Sequence, residues 1–188
     1  MSNNNKSVLS GMLSESVTVR SVRNQTVIKS RRQPRVSREG VDRSRQAVAR
    51  ARFNAAAQYA KAQISIPESR AMYMTGLTAQ KRTAYLVAMT DFLNSPETNF
   101  TNVRGYRGRI GDTITINAVD DFKVVKVDVE ILDAAGTIIE EGAAVNNPGK
   151  PGEWNYMATV ANPDLSGTKL HAIAYDHAGN TGEAEVVL

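Results

Sequence analysis

A chain of 188 residues is long enough for one full domain with an appendage, and its 41% hydrophobic and 22% charged residues are typical of folded proteins. It contains no cysteine, which excludes disulfides, thiolate nucleophiles and sulfur-ligated zinc. The net charge of +4 is unevenly distributed, because residues 1–103 hold 16 Lys and Arg against 6 Asp and Glu, whereas residues 104–188 hold 7 against 13.

The polar start of the chain, residues 1–7, is followed by no apolar run of signal-peptide length. No stretch of about 18 apolar residues, the length that a membrane span needs, occurs in the sequence. We therefore expect no signal peptide and no membrane partner, and a protein that stays in the cytoplasm or becomes part of a particle or assembly.

A weak hairpin signal lies between residues 16 and 30. Val17 and Val19 alternate with polar residues, and Val27 and Ile28 follow a turn at residues 24–25. An isolated hairpin is marginal in water, so we expect these two strands to pair with something else, for example another subunit.

The segment that follows the hairpin, residues 29–38, is too basic to pack by itself, and Pro34 opposes regular structure within it. We interpret it as a linker. Residues 1–36 are therefore predicted to form a basic N-terminal arm that contains the hairpin.

Residues 37–103 are predicted to form a helical region with two helices. Ser37 can cap a first helix that runs to about residue 63 through an alanine-rich stretch, and residues 65–67 end it. A second helix is predicted from about residue 78 to residue 94, before Pro96. The apolar stripes expected to be buried contain Phe53, Ala57, Ala60 and Ile64 in the first helix and Tyr85, Ala88 and Phe92 in the second.

The hydrophobic pattern changes to period two from about Arg104. Ile114 and Ile116 alternate with polar residues, and so do the apolar residues of the stretch 125–131. Six or seven such strands, separated by turns every 8–12 residues, indicate an antiparallel immunoglobulin-like β-sandwich over residues 104–188. The predicted fold class is therefore α+β, with a basic arm and two helices followed by this sandwich.

Two motifs carry a resemblance to a known family. Residues 111–116, Gly-Asp-Thr-Ile-Thr-Ile, resemble the entry strand of bacterial immunoglobulin-like or fibronectin-type-III-like modules, and residues 174–180 resemble their penultimate strand and turn. The resemblance implies a sandwich without the cysteine pair of antibody domains. The plan of the whole chain loosely resembles uncharacterised proteins of Bacteroidetes-type bacteria, which implies no activity.

The Arg-rich segment is the strongest charge feature. Eleven Lys and Arg lie between Arg20 and Arg52 against two acidic residues, and Arg38, Arg45 and Arg52 recur every seven positions. Such a stripe can bind phosphates, although no aromatic residues are interleaved to stack bases. Docking on an acidic protein surface is the alternative.

No catalytic residue and no cofactor site emerge from the sequence. His171 and His177 lie near no nucleophile motif and are interpreted as surface residues, and Glu140 and Glu141 point to opposite faces of a strand. Trp154 is expected in the core rather than on a carbohydrate platform. Asp112, Asp120, Asp121 and Asp176 are interpreted as turn-forming aspartates rather than metal ligands, because no loop spaces them as an EF-hand does, although the sequence leaves open whether this acidic loop end binds calcium.

We therefore predict a non-enzymatic structural subunit of a homomeric, phage-like or injection-apparatus assembly, whose partners are further copies or other structural proteins. The alternative is a nucleic-acid-binding accessory protein that uses residues 20–52. The residues expected to bind the partner in either case are Val17, Val19, Val27, Ile28, Arg31, Arg32, Arg35, Arg38, Arg45 and Arg52.

Overall fold

The computed structural model describes the backbone of residues 11–14, 17–22, 25–30 and 43–188, and the side chains of residues 44–188. The chain separates into two compact units, Met1–Gln46 and Ala47–Leu188. The predicted boundaries at residues 36 and 103 differ from this division.

A three-stranded antiparallel sheet lies in the first unit. Its strands β1 (Gly11–Ser14), β2 (Val17–Val22) and β3 (Gln25–Ser30) are arranged in the order β1-β2-β3. The predicted hairpin corresponds to β2 and β3, in which Val19 lies opposite Ile28. The sequence did not indicate β1, because four residues are too few to show a period. Most of the predicted linker, together with the Ser37 cap, lies outside the described residues.

Three helices follow, where two were predicted: α1 (Arg43–Ser65), α2 (Pro67–Met74) and α3 (Ala84–Leu93). Pro67 was interpreted only as the end of the first helix, but it also begins α2, because proline is well suited to the first position of a helix. In the described part of the chain, no helix combines the length and the apolar character that crossing a membrane requires.

The buried face of α1 is displaced from the predicted stripe. Phe53 is 53% exposed, whereas Ala56 and Ala60 are fully buried, so the expected burial of Phe53 was wrong. The small alanine side chains allow close packing around Tyr73 of α2 and Val87 of α3 in a second, smaller hydrophobic core. The stripe predicted for α3 is displaced in the same way, since Ala84, Val87, Ala88 and Asp91 are its buried residues.

The C-terminal strands form two four-stranded antiparallel sheets packed as a β-sandwich, which confirms the predicted α+β class. The strands are β4 (Glu97–Asn102), β5 (Thr113–Val119), β6 (Val124–Leu132), β7 (Ile138–Ala143), β8 (Val145–Asn146), β9 (Glu153–Met157), β10 (Lys169–Asp176) and β11 (Thr181–Val187). One sheet has the order β11-β10-β6-β7 and the other β4-β5-β9-β8. Strand β4 precedes the predicted start of the sandwich at residue 104.

The period-two pattern directs alternate side chains into the space between the sheets. Ile114 and Ile116 of β5 and Val127 and Val129 of β6 are fully buried, as this alternation requires. Trp154 belongs to the same core, as predicted.

The two long sides of the sandwich differ. On one side β4 lies beside β11, where the Thr98 hydroxyl donates a hydrogen bond to the Gly182 carbonyl (3.0 Å). A Cβ atom at Gly182 would lie 1.9 Å from the Pro96 carbonyl oxygen, so this close approach requires glycine. On the other side β7 and β8 are the outermost strands, and within the described residues no strand pairs with the outer edge of β7.

Candidate functional site

A buried carboxylate in α3 is the starting point of the site. The Thr83 hydroxyl accepts a hydrogen bond from the Leu86 amide (3.2 Å) and fixes the start of this helix. Asp91 then falls on the helix face that is otherwise apolar, and it is 0% exposed. Its Oδ2 accepts a hydrogen bond from the Tyr73 hydroxyl at 2.7 Å. Burying a carboxylate in this way is costly unless it is paired, protonated or bound to a cation.

Two further carboxylates from the sandwich approach Asp91. Asp120 follows the last residue of β5, and its Oδ2 accepts a hydrogen bond from the Phe122 amide (3.0 Å). Asp176 ends β10, and its Oδ1 accepts a hydrogen bond from the Asn180 amide (2.7 Å). One oxygen from each of the three carboxylates lies within 4.8 Å of the other two.

Asn180 joins these carboxylates to the end of α3. Its side-chain amide donates to Oδ2 of Asp176 (2.6 Å) and to the carbonyl oxygens of Asp91 and Asn94 (3.0 Å each). Carbonyl groups at the C-terminal end of a helix have no partner within the helix. The turn after β10 therefore orients Asp176 and also supplies hydrogen bonds to the terminal carbonyl groups of the helix that carries Asp91.

The charges of the cluster are incompletely compensated. Oδ1 of Asp91 and Oδ1 of Asp120 are buried and have no hydrogen-bond partner. Among residues 44–188, none of the observed salt bridges involves Asp91, Asp120 or Asp176. Burial raises the pKa of Asp91 to about 7, and the hydrogen bond from Tyr73 opposes this rise. The neighbouring charges of Asp176 and Asp120 add to it, as does a hydrogen bond that protonated Asp91 can make to Asp120.

A chain of hydroxyl groups leads from the cluster to α1. Because the Tyr73 hydroxyl donates its proton to Asp91, the Tyr59 hydroxyl donates to Tyr73 (2.7 Å). Burial is the main cause that raises the pKa of both phenols, so both remain protonated donors. His177, exposed as predicted, places its ring edge against Tyr73 with 5.8 Å between the ring centroids.

The structure brings together only two of the four aspartates considered from the sequence. Asp112 precedes β5 and Asp120 follows it, so the strand separates their Cα atoms by about 26 Å. Asp112 instead accepts hydrogen bonds from the Arg107 and Arg109 amides, and these amides lower its pKa. Asp121 is hydrogen-bonded to Asn94 and lies 3.6 Å from the Lys81 ammonium.

Asp91 completes the cluster, and sequence reasoning missed it. Its signal was present, because it follows Ala84, Val87 and Ala88 at helical spacing on the buried face. A carboxylate at a core position of an apolar helix is therefore as strong a signal of a site as the loop aspartates are.

The partner-binding residues predicted in the arm are only partly described. Val17 and Val19 lie in β2 and Val27 and Ile28 in β3, and their side chains are outside the described residues. The other predicted residues outside the described part are Arg31, Arg32, Arg35 and Arg38.

Two predicted arginines are described, and both are exposed on α1. These are Arg45 and Arg52. The Arg52 guanidinium donates a hydrogen bond to the Leu93 carbonyl (2.6 Å) of the same chain, at the end of α3.

A second polar group lies on the outer face of the sheet that contains β10. His171 is half-buried, with Nδ1 3.0 Å from Glu130 and Nε2 3.5 Å from Glu183. Burial alone would lower the pKa of His171, but the two glutamates outweigh it and the pKa is raised. No side chain with a nucleophilic hydroxyl is hydrogen-bonded to His171 among the bonds of residues 44–188, and the group is an ion-pair cluster.

Comparisons with known proteins add a fold-level likeness only. No family model matches the chain, and no curated protein matches it. An engineered protein solved at 1.98 Å resolution is 16% identical with a TM-score of 0.36, and the match covers 48% of this chain and 18% of that one. CopC from Methylosinus trichosporium OB3b is 14% identical with a TM-score of 0.36, and the match covers 47% of this chain and 88% of that one. Similarity of this degree says nothing about activity, and the β-sandwich is established by the two sheets of this chain.

Proposed function

We propose that the protein is a non-enzymatic structural subunit of a larger homomeric, phage-like or injection-apparatus assembly, in which the N-terminal arm contacts neighbouring copies. The observation that supports this proposal is the three-stranded sheet of residues 11–30. Its outer strands β1 and β3 each have one edge that no described strand covers. Unpaired strand edges are templates for pairing with another chain.

The sandwich offers an acceptor for such an arm. Strand β7 has six residues, as β3 does, and its outer edge is unpaired among the described strands. Ile138, at the start of β7, is 50% exposed. Glu141, exposed on the same strand, is opposite in charge to Lys29 of β3. Main-chain hydrogen bonds would supply affinity, and the opposite charges of the two parts of the chain would favour a head-to-tail arrangement.

The sandwich fits this role as an immunoglobulin-like display module located in a cytoplasmic or particle-bound assembly. Function on such a fold resides in sites rather than in the fold itself.

The direct test is the mass of the nuclease-treated protein, measured by light scattering at low and high salt. We expect a large, nuclease-resistant species for the full chain and a monomer after removal of residues 1–36. A full chain that is monomeric and changes mass only when DNA or RNA is added, with steep salt dependence, would establish nucleic-acid binding instead. In that case residues 38–52 should keep much of the affinity after the deletion.

A lysine at the proposed acceptor edge gives a finer test. Ile138→Lys should weaken self-association at least about tenfold, because a charged residue on an edge strand opposes the addition of another strand. Val187→Lys is the matched control, since Val187 is 56% exposed on β11, at the opposite side of the same sheet. Equal association constants for the two variants, measured by sedimentation equilibrium, would exclude β7 as the acceptor.

A further inference from the structure

We propose that Asp91, Asp120 and Asp176 form a binding site for an oxygen-seeking divalent cation, best suited to Ca²⁺, at the junction of α3 and the sandwich. The three carboxylates come from three separate elements, and their ligand oxygens lie within 4.8 Å of one another. Ca²⁺ takes oxygens at about 2.3–2.6 Å, so oxygens on opposite sides of the ion are separated by up to about 5 Å. The upper limit of 4.8 Å on the observed spacing lies within this span.

The unpartnered oxygens point to the ligand independently of the acidic composition. Asp91 is 0% exposed, and its Oδ1 has no hydrogen-bond donor. Oδ1 of Asp120 is buried and equally without a donor. Buried carboxylate oxygens are normally hydrogen-bonded, paired with a cationic side chain or bound to a metal. The salt bridges observed among residues 44–188 supply no cation here.

The remaining carboxylate oxygens all accept hydrogen bonds from the protein. Oδ2 of Asp91 accepts from Tyr73 and Oδ2 of Asp120 from Phe122, whereas both oxygens of Asp176 accept from Asn180. Each carboxylate is therefore oriented by a protein donor, as metal ligands commonly are. Asp91 and Asp176 are buried and Asp120 only partly so, which makes Asp120 the carboxylate of the cluster nearest to solvent.

Bound Ca²⁺ would join the helical layer to the sandwich. Asp91 belongs to α3, whereas Asp120 and Asp176 follow or end sandwich strands. An ion held by all three would stabilise the folded state of this unit, because the site is absent from the unfolded chain. This role is separate from the arm-mediated assembly and does not depend on it.

The test is the thermal unfolding of the full chain, stripped with chelator and then supplied with Ca²⁺ or Mg²⁺ at neutral pH. We expect Ca²⁺ at about 100 times its dissociation constant to raise the Tm by about 5–10 °C. Asp120→Asn and Asp176→Asn should each weaken Ca²⁺ binding at least about tenfold. Even the loss of a group that only orients a metal ligand weakens metal binding by this factor. Asp121→Asn is the matched control and should bind Ca²⁺ as the wild type does, because Asp121 lies next to the cluster but outside it.

Terbium luminescence supplies a second measurement that does not depend on stability. Tb³⁺ occupies oxygen-ligated calcium sites, and Tyr73, hydrogen-bonded to Asp91, lies close enough to sensitise its emission. We expect sensitised emission that Ca²⁺ displaces, and loss of this emission in Asp120→Asn. If neither ion changes the Tm of the wild type, and this Tm rises as the pH falls, the carboxylates hold a proton rather than a cation. That result would overturn the proposal. Equal effects of Ca²⁺ on all variants would overturn it as well.

Discussion

Replacing Glu140 with alanine is expected to lower the free energy of unfolding by about 2–4 kcal/mol, because several donors lose one shared acceptor. The Glu140 side chain is on β7 but turns into the sandwich, and the residue is 6% exposed. Its Oε2 accepts hydrogen bonds from the Tyr156 hydroxyl (3.1 Å), the Thr159 amide and hydroxyl (2.8 Å each) and the Val160 amide (3.2 Å).

The hydrogen bonds of the Glu140 carboxylate therefore connect the edge strand β7 to the segment that follows β9. Burial and the negative charge of Glu140 raise the pKa of Tyr156 to about 12, so Tyr156 remains a donor over the ordinary pH range. Alanine would leave this buried hydroxyl without its acceptor and would release residues 159–160 from β7.

The measurement is chemical denaturation of three variants. Glu141→Ala is the matched control, because Glu141 is the neighbouring residue on the exposed face of the same strand and should change stability by less than about 0.5 kcal/mol. Glu140→Gln should lie between the two, since the amide keeps an acceptor oxygen but loses the charge that strengthens the bonds. Equal midpoints for Glu140→Ala and Glu141→Ala would contradict the proposed role of the buried carboxylate.

Local periodicity explains which parts of the fold the sequence could predict. Alternation along β6 and β10 identified buried strands because each side of a strand faces either the core or solvent. The same rule placed Glu140 and Glu141 on opposite faces, as the structure shows. In α1 the period was correct and Ala60 is buried as predicted, but Phe53 is exposed and Ala56 is buried in its place.

The carboxylate cluster was harder to predict because it is a tertiary feature. Asp91, Asp120 and Asp176 belong to elements that are far apart in sequence, and only the fold brings them together. Composition alone could not separate Asp120 from Asp112, which lies at the other end of β5. An aspartate on the apolar face of α3 was the one local signal available.

In the presence of a chelator at pH 8, Asp91→Asn is expected to be more stable than the wild type by about 1–3 kcal/mol, the cost of leaving a buried polar group unpaired. The asparagine oxygen can accept the hydrogen bond from Tyr73, as Oδ2 of Asp91 does. The amide can then donate toward Oδ1 of Asp120, which has no donor in the wild type. The substitution also removes the repulsion that Asp120 and Asp176 exert on a third negative charge.

The direction of the pKa shift of Asp91 determines how the stability difference between wild type and variant changes with pH. The pKa of Asp91 in the folded protein, about 7, is far above its usual value of 3.8, so the folded state binds the proton more tightly than the unfolded state does. Wild-type stability in chelator should therefore fall as the pH rises from about 4 through 7, whereas the variant lacks this contribution. The groups that face Asp91 are Tyr73, which stays protonated, and the two other carboxylates of the cluster.

Denaturation curves at pH 5 and pH 8 separate this effect from general pH sensitivity. The stability difference between Asp91→Asn and the wild type should be larger at pH 8 than at pH 5, while Asp121→Asn should follow the wild type at both values. Adding Ca²⁺ should reverse the order, because the wild type gains binding energy that the variant has lost. An Asp91→Asn protein that is less stable than the wild type at pH 8 in chelator would mean that Asp91 gains more from its negative charge than it loses by burial.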